Sequence, residues 1–577
     1  MDLETKKRVQ EAISSLPLSK HEQDMVTNGH IEVEPMDTKI FLQKVKEHCS
    51  MLIKAKLGAE LTEAITLAFE KLNHLYTTRD DDKSEVWIYQ EGIYVPQGKT
   101  YIKEFTRDIL GDFFSKHVCN EIINKIETDT YIESEKFFNN IEIENVPVEN
   151  GIINVLTKEL QPFSPERIFF NKLPLKYDTE AKCPIIQQFF NDVVAKPEDV
   201  QVLQELFGFI LYKDYKFEKA FMMTGSGRNG KGKMVELMKR FLGPDNVVNV
   251  TLKQLETDQY SIGYFLNKMA NLGADIGNLV LKETDKFKNL TGHDLVTANR
   301  KYKTPIHFQN FAKMIFCANE IPDTIDKTFA FFNRWIIIDF PYTFLPKSEM
   351  TDDPMEKLQD TNIIDKLSCP NELSGLLNWS LAGLDRLMKN KYFSYSGKTE
   401  DIKIKWIRKS NSFSAFMMDC VENDYDCSIT KNELRRVYTI YCKKHHLKPV
   451  SDTMLKSVLT KEYGSSDDRP TIDTQRIRVW SSIKFVQGVQ DDHGLSRSII
   501  SFQFKSDLQE TPGQDGHPGQ KQMFSYMDRH KKNNAADINA IFGTEIVKKL
   551  KTEGVLFEVP AGTYKYVLPN AEEVNNA

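Results

Sequence analysis

Hydrophobic and polar positions change period several times along the chain, and each change marks an element. Over the first ~60 residues, charged and apolar positions alternate at about helical spacing, with Ile40, Phe41, Val45, Met51 and Leu52 apolar; this predicts a small helical region. Residues 85–95 (EVWIYQEGIYV) switch to period two around Glu91-Gly92, the pattern of a hairpin. Residues 147–177 read as short strands punctuated by Asn150-Gly151, Pro162, Pro165 and Pro174. Helical patterning returns from Pro184 to Leu211. From about Phe217 to Phe344 strand and helix signals alternate: KAFMMTG, a glycine-rich loop, KMVELMKRFLG, KMANLGAD, a hairpin-like NRKYKTPIHF and AKMIFCAN. That alternation predicts an α/β core.

Beyond it, residues 345–400 look mainly helical, and 411–485 mix helices with a late alternating stretch, RIRVWSSIKFV. Residues 506–520 (SDLQETPGQDGHPGQ) are polar and rich in Gly, Pro and Gln, the composition of a linker. Residues 521–568 then read as three helices and a hairpin, the order of a winged helix. The expected organisation is a helical region (1–70), an α+β region (71–210), the α/β core (211–345) and a helical segment (346–400). A basic winged-helix-like domain (401–505), the linker (506–520) and a terminal winged helix (521–577) complete it. No fixed-period repeat is visible.

Composition narrows the class. Of 577 residues, 40% are hydrophobic and 27% charged, which excludes a wholly disordered or collagen-like chain. Eight cysteines without a CxxC pair suggest reduced thiols. No apolar run is long enough to span a membrane, and the N-terminus lacks the apolar core of a signal peptide; a cytoplasmic protein is expected. The net charge of −6 neither suggests nor excludes a polyanionic partner, so local charge has to decide.

The strongest motif is Gly225-Ser226-Gly227-Arg228-Asn229-Gly230-Lys231, between an apolar strand and an amphipathic helix. Phosphates need close backbone approach, so glycines stand where a side chain would clash, and successive amides point at the anion. Lys231 would reach the β- and γ-phosphates of ATP. The next position usually carries a hydroxyl for Mg²⁺; here it is Gly232, followed by Lys233, so the metal depends more on water and on a carboxylate elsewhere. Asp275, at the end of the next strand, can hold Mg²⁺ or polarise the attacking water, although an Asp at a strand end is more often a turn residue. Asn319 closes the strand MIFCA and could orient water or cap a turn. Arg334 precedes another apolar strand and could equally be a surface arginine stacked on Trp335.

In order, GSGRNGKGK (225–233), GAD (273–275), KNLTGHD (288–294), NRKYKTPIHF (299–308), KMIFCANEIP (313–322) and FFNRW (331–335) resemble a superfamily-three helicase of the poxvirus and phage/plasmid primase-helicase type. About residues 70–485 are covered by the resemblance. It implies a P-loop ATPase (AAA+-like) α/β core with an α+β N-terminal region and C-terminal helical and winged-helix domains. It also implies residue roles. Lys231 contacts nucleotide phosphates, Asp275 takes the Walker B acid position, Asn319 is the first sensor, and Arg334 is an arginine finger acting on a neighbour's ATP. Lys301, Lys303 and His307 belong to a DNA-contacting hairpin. Single or forked DNA, a homo-oligomeric ring, expected to be a hexamer, and a separate primase or polymerase are the implied partners, with no membrane. The departures are Gly232 and the unpaired acid, Ile276 following Asp275.

Two further regions are basic. Residues 431–448 hold six Lys/Arg against one acid, with Tyr438 and Tyr441 interleaved; a recognition-type helix would use Arg435, Arg436, Lys443 and Lys444, while a solvated basic helix face fits the charge equally. In the terminal winged helix, Lys548, Lys549 and Lys551 make the third helix basic, for DNA or for protein. Cys420, Cys427, Cys442 and His445 match no zinc spacing. The expected activity is ATP-dependent DNA unwinding in replication of a virus, plasmid or other mobile element. The competing readings are a bifunctional primase-helicase, a non-motor DNA-binding protein with a nucleotide switch, and a metabolic P-loop kinase.

Overall fold

The computed structural model describes residues 38–80, 83–273, 280–351, 353–445, 447–472, 475–486, 556–559 and 563–566. The chain divides into two units, residues 1–499 and 500–577.

The first unit opens with α1 (Thr38–Ala55) and α2 (Gly58–Leu72). The buried stripe of α1 is Phe41, Val45 and Cys49, at i, i+4 and i+8, whereas Ile40 and Met51 are exposed. Strands β1 (Leu75–Thr78), β2 (Val86–Gln90) and β3 (Ile93–Val95), helices α3 (Gly98–Leu110) and α4 (Lys116–Asp129), strand β4 (Tyr131–Ile132) and helix α5 (Ser134–Phe138) follow. Glu91 (φ 45°) and Gly92 (φ 100°) turn the β2–β3 hairpin, both left-handed as a tight hairpin turn requires. One apolar cluster joins Phe41 to Ile126, so no core boundary falls at residue 70: the first helices complete the module that was expected to start after them.

A small antiparallel sheet, β5 (Asn145–Val148), β6 (Gly151–Asn154) and β7 (Leu160–Gln161), leads to α6 (Pro184–Val193) and α7 (Pro197–Leu211). Next in chain order come β8 (Ala220–Thr224), α8 (Lys231–Leu242), β9 (Val247–Val248), α9 (Leu252–Thr257), β10 (Ala270–Gly273), β11 (Val280–Leu281) and α10 (Asp285–Thr291). They continue with β12 (Leu295–Ala298), β13 (Ile306–Gln309), β14 (Lys313–Ala318), β15 (Asp323–Thr324), α11 (Phe329–Asn333) and β16 (Trp335–Asp339). Five of these strands form a parallel sheet in the order β16-β8-β14-β10-β9. β8, β10 and β14 are buried along their whole length, as a sheet covered on both faces demands.

After the sheet come β17 (Thr343–Leu345), β18 (Glu356–Leu358), α12 (Ile363–Leu367), α13 (Pro370–Asn390) and α14 (Thr399–Ser410). α13 packs along α7. The approach is close because glycines stand at the crossing: a Cβ on Gly383 would lie 2.4 Å from the Gln204 carbonyl oxygen, and one on Gly208 2.4 Å from that of Ser380. A single apolar core runs from Val146 to Trp406. Residues 146–210 and 346–400 therefore flank the sheet within one core, and the expected breaks near 210 and 345 are absent.

Residues 412–485 have their own core. Their order is α15 (Ser412–Cys420), β19 (Val421–Thr430), α16 (Lys431–Lys444), α17 (Asp452–Lys461), β20 (Asp467–Asp468), the hairpin of β21 (Thr471–Ile472) and β22 (Gln475–Arg476), and β23 (Val479–Phe485), with sheet order β19-β23-β20. The second unit contributes an antiparallel hairpin, β24 (Leu556–Val559) and β25 (Thr563–Tyr566), where the terminal hairpin is expected. The linker, the three helices expected before that hairpin, and Lys548, Lys549 and Lys551 lie outside the described residues. Among the described residues no helix is long and apolar enough to cross a membrane.

Candidate functional site

The glycine-rich loop joins the carboxyl end of β8 to the amino end of α8. Gly227 (φ 108°), Arg228 (φ 48°) and Gly230 (φ 87°) are left-handed, which folds the chain back so that α8 starts at Lys231. A Cβ on Gly225 would strike the Asn229 side chain and come within 2.5 Å of the Phe340 carbonyl oxygen. Asn229 is buried, and its amide Nδ2 donates to that carbonyl (3.4 Å). Arg228 reaches outward to Glu349 (2.6 Å), while Ser226 and Lys233 are exposed.

Lys231 is buried and its ammonium group is aimed back across the loop, donating to the Gly225 carbonyl (2.5 Å) and to Asn319 Oδ1 (3.0 Å). The register explains the meeting. Ala318 pairs with Thr224, so Asn319 and Gly225 leave adjacent parallel strands at the same level. Lys231 and Asn319 are thus in direct contact, although 88 residues separate them. A Cβ on Gly232 would meet nothing within 4 Å, and its φ lies outside the left-handed region, so glycine is not sterically required there. Gly230, Gly232 and Lys233 open onto a cleft of about 1400 Å³, whose walls include Phe189 and Phe344. Asp275 lies outside the described residues, two positions beyond Gly273, where β10 ends.

A second cluster at this end of the sheet was not foreseen. The Asp339 carboxylate, at the end of β16, accepts from Thr224 Oγ1 (2.5 Å), Lys405 (2.8 Å) and Lys409 (2.9 Å), both lysines coming from α14. Burial alone would raise its pKa; the two ammonium groups outweigh it and hold the carboxyl at about 2. Nothing near Asp339 in the sequence signals partners that lie about 65 and 70 residues downstream.

Arg334 sits at the other end of β16. Trp335 pairs with Ala220, so about five residues at ~3.3 Å each, roughly 16 Å, separate Arg334 from the loop of its own chain. Its guanidinium donates to Thr291 Oγ1 (3.0 Å) and the Ala330 carbonyl (2.7 Å), with Glu218 3.6 Å away. It does not stack on Trp335 as a surface arginine; Trp335 is fully buried against Phe287.

The candidate nucleic-acid residues separate into two groups. Lys301 is exposed at the tip of the β12–β13 loop, over the ring of Tyr302 (5.2 Å), while Lys303 is paired with Glu85 and His307 lies on β13 beside Thr297. On α16, Arg435 pairs with Asp452 and Arg436 with Glu433, whereas Lys443 and Lys444 are exposed. Tyr438 and Tyr441 do not interleave with them at the surface. They are buried, their hydroxyls bonded to Ser412, Val450 and Asp419, because Leu434, Val437, Tyr438, Tyr441 and Cys442 form the apolar stripe of the helix. Exposed basic side chains without a salt bridge among the described residues also lie on α17 and around the following hairpin: Lys456, Lys461, Arg476 and, just after it, Arg478. They are scattered singly in the sequence, which hid them.

Comparison with known proteins supports a viral helicase-like relationship. Residues 80–195 match the family described as D5 N terminal like, and residues 223–334 match a family of unknown function (DUF5906). The chain is 21% identical over 357 residues to "Putative helicase V13" of Sputnik virophage, covering 58% of this chain and 44% of that protein. It is 30% identical over 141 residues to "Putative helicase L207/L206" of Acanthamoeba polyphaga mimivirus, covering 23% and 15%. The chain thus spans less than half the length of the curated relatives it matches. Among solved structures, the apo NrS-1 C terminal region aligns over 72% of this chain and 97% of that one, at 14% identity and a TM-score of 0.37.

Proposed function

We propose that this protein is an ATP-dependent DNA helicase with an AAA+-like P-loop core, acting in replication of a virus or mobile element in the host cytoplasm. The observation that carries the reading is the Lys231–Asn319 contact at the carboxyl ends of β8 and β14. A cation and an amide converge where the loop's backbone would cradle phosphates, beside a cleft large enough for a nucleoside. ATP fits this arrangement: its phosphates would replace the Gly225 carbonyl as partner of Lys231, and Asn319 would hold water near the reacting phosphorus. Mg²⁺, when bound, would neutralise β- and γ-oxygens, with Asp275 as its protein ligand. The distance of Arg334 from its own loop supports a finger acting on the neighbouring subunit, hence a ring, proposed as a hexamer. The element order of residues 412–485 supports a winged helix, and the likeness to viral helicases supports the replication role.

The test is the ATPase rate with and without single-stranded DNA. Wild type should turn over ATP faster with DNA; Lys231→Ala should lose turnover, and Asn319→Ala should lose roughly 10²–10³-fold in rate, as for other positioned polar groups, while keeping nucleotide binding. Full turnover in Lys231→Ala would overturn the assignment.

A further inference from the structure

The loop between β12 and β13 is held down by the N-terminal module. Glu85, in the β1–β2 connection, accepts from Arg300 Nη1 at Oε1 (2.6 Å) and from Lys303 Nζ at Oε2 (2.5 Å). Its side chain is only 11% exposed. Thr304 donates to Asp80 of the same connection, Asn139 donates to the His307 carbonyl (3.1 Å), and the Arg300 guanidinium covers the Phe138 ring. Ile306 is buried with Trp87, Tyr94, Phe137 and Phe138. What remains outside is the tip. Tyr302 is 82% exposed and left-handed (φ 62°), beside Lys301. A bulky residue in that conformation is uncommon, and here it holds an aromatic ring out in water.

We infer that Arg300 and Lys303 form a phosphate site of the nucleic-acid-binding loop that the Glu85 carboxylate masks, so that strand binding and docking of the loop on the N-terminal module exclude each other. The inference rests on the proposed DNA-binding role of this loop. A carboxylate presents two oxygens to two cations much as a phosphodiester presents its two non-bridging oxygens, and a guanidinium binds either in the same geometry. The same donors cannot serve both. A strand whose base stacks on Tyr302 brings its backbone to within reach of Arg300 and Lys303. Once the phosphate takes them, Glu85 loses both partners. Of the described hydrogen bonds and ion pairs from the 80–85 connection to the loop, Thr304 with Asp80 then remains, and the tie between loop and module loosens. Glu85 thereby acts as an internal competitor that lowers basal affinity and couples strand capture to release of the module.

The experiment uses the full chain and a fluorescent oligothymidylate, with affinity measured by anisotropy across a salt series. Glu85→Gln should tighten binding about tenfold near 0.1 M salt. It should also steepen the log–log salt slope by about 1.4, two cations at ~0.7 each for a single strand. Adding Arg300→Gln should cancel the gain. Hydrogen exchange gives a second readout: amides of 83–85 and 299–305 should exchange faster in wild type once the oligonucleotide is added, and in Glu85→Gln without it. Unchanged affinity and slope in a Glu85→Gln protein with wild-type melting temperature would overturn the inference, as would unchanged exchange in both tests. DNA-stimulated ATPase, measured alongside, reports on the helicase reading separately: its loss leaves the exchange result in Glu85→Gln free to decide the mask.

Discussion

At the scale of single residues, burial of charge decides more than motif membership. Lys213 is buried at the end of α7, its ammonium group donating to the Asn145 carbonyl (2.9 Å) over the Phe169 ring. Burial pushes its pKa down from 10.5 to about 7. Between about pH 7 and 10.5 the unfolded chain therefore binds a proton there that the folded protein does not, so this group makes stability rise with pH across that window. Lys213→Met should remove the component, and melting temperatures from pH 7 to 9.5 should climb less steeply in the variant; identical slopes would contradict the buried-amine account. The residues of the proposed nucleotide site were partly legible because each closes an apolar run, as Asn319 and the glycine loop do. The Thr224–Asp339–Lys405–Lys409 cluster was illegible because α14 supplies it through tertiary packing. The aromatic residues of α16 misled because tyrosine serves equally as core and as contact.

At the scale of elements, period and punctuation located most strands and helices, from the Glu91-Gly92 hairpin to four of the five parallel strands; β9, two residues long, gave no signal. Pairing order is what they withheld, since adjacency in a parallel sheet follows crossovers rather than sequence. The α7–α13 crossing depends on backbone approach at Gly383, so Gly383→Ala should cost about 1–3 kcal/mol of stability, read as a lowered denaturation midpoint. A wild-type midpoint would show that the helices can part freely. In residues 412–485, for the proposed nucleic-acid contact, charge placement favours α17, the β21–β22 hairpin and Arg478 just after it. Replacing Lys456, Arg476 and Arg478 with alanine should weaken duplex binding and flatten its salt dependence. Replacing Arg435 and Arg436, already ion-paired, should change both much less. The reverse order in a filter-binding series would return the role to α16.

At the scale of the whole molecule, one continuous core from Val146 to Trp406 means that the sheet, its flanking helices and the cleft beside the loop fold together. Sequence composition suggested boundaries at 210 and 345 because element type changes there, whereas burial does not. Lys231→Ala and Arg334→Ala should each lack turnover alone, yet mixed subunits should recover part of it, because some interfaces then unite an intact loop with an intact arginine. Full activity of Arg334→Ala by itself would end the trans reading.

The hydrogen bond from Arg334 to Thr291 has a mechanical corollary. Thr291 ends α10, and four residues later the chain enters β12, the first strand of the hairpin that carries Tyr302. In a ring, a guanidinium drawn toward a neighbour's phosphate would let go of that threonine. The root of the proposed strand-binding loop would then be unpinned. Fuel state in one protomer would be transmitted to grip in the next through a single side chain, as a pawl is lifted from a ratchet.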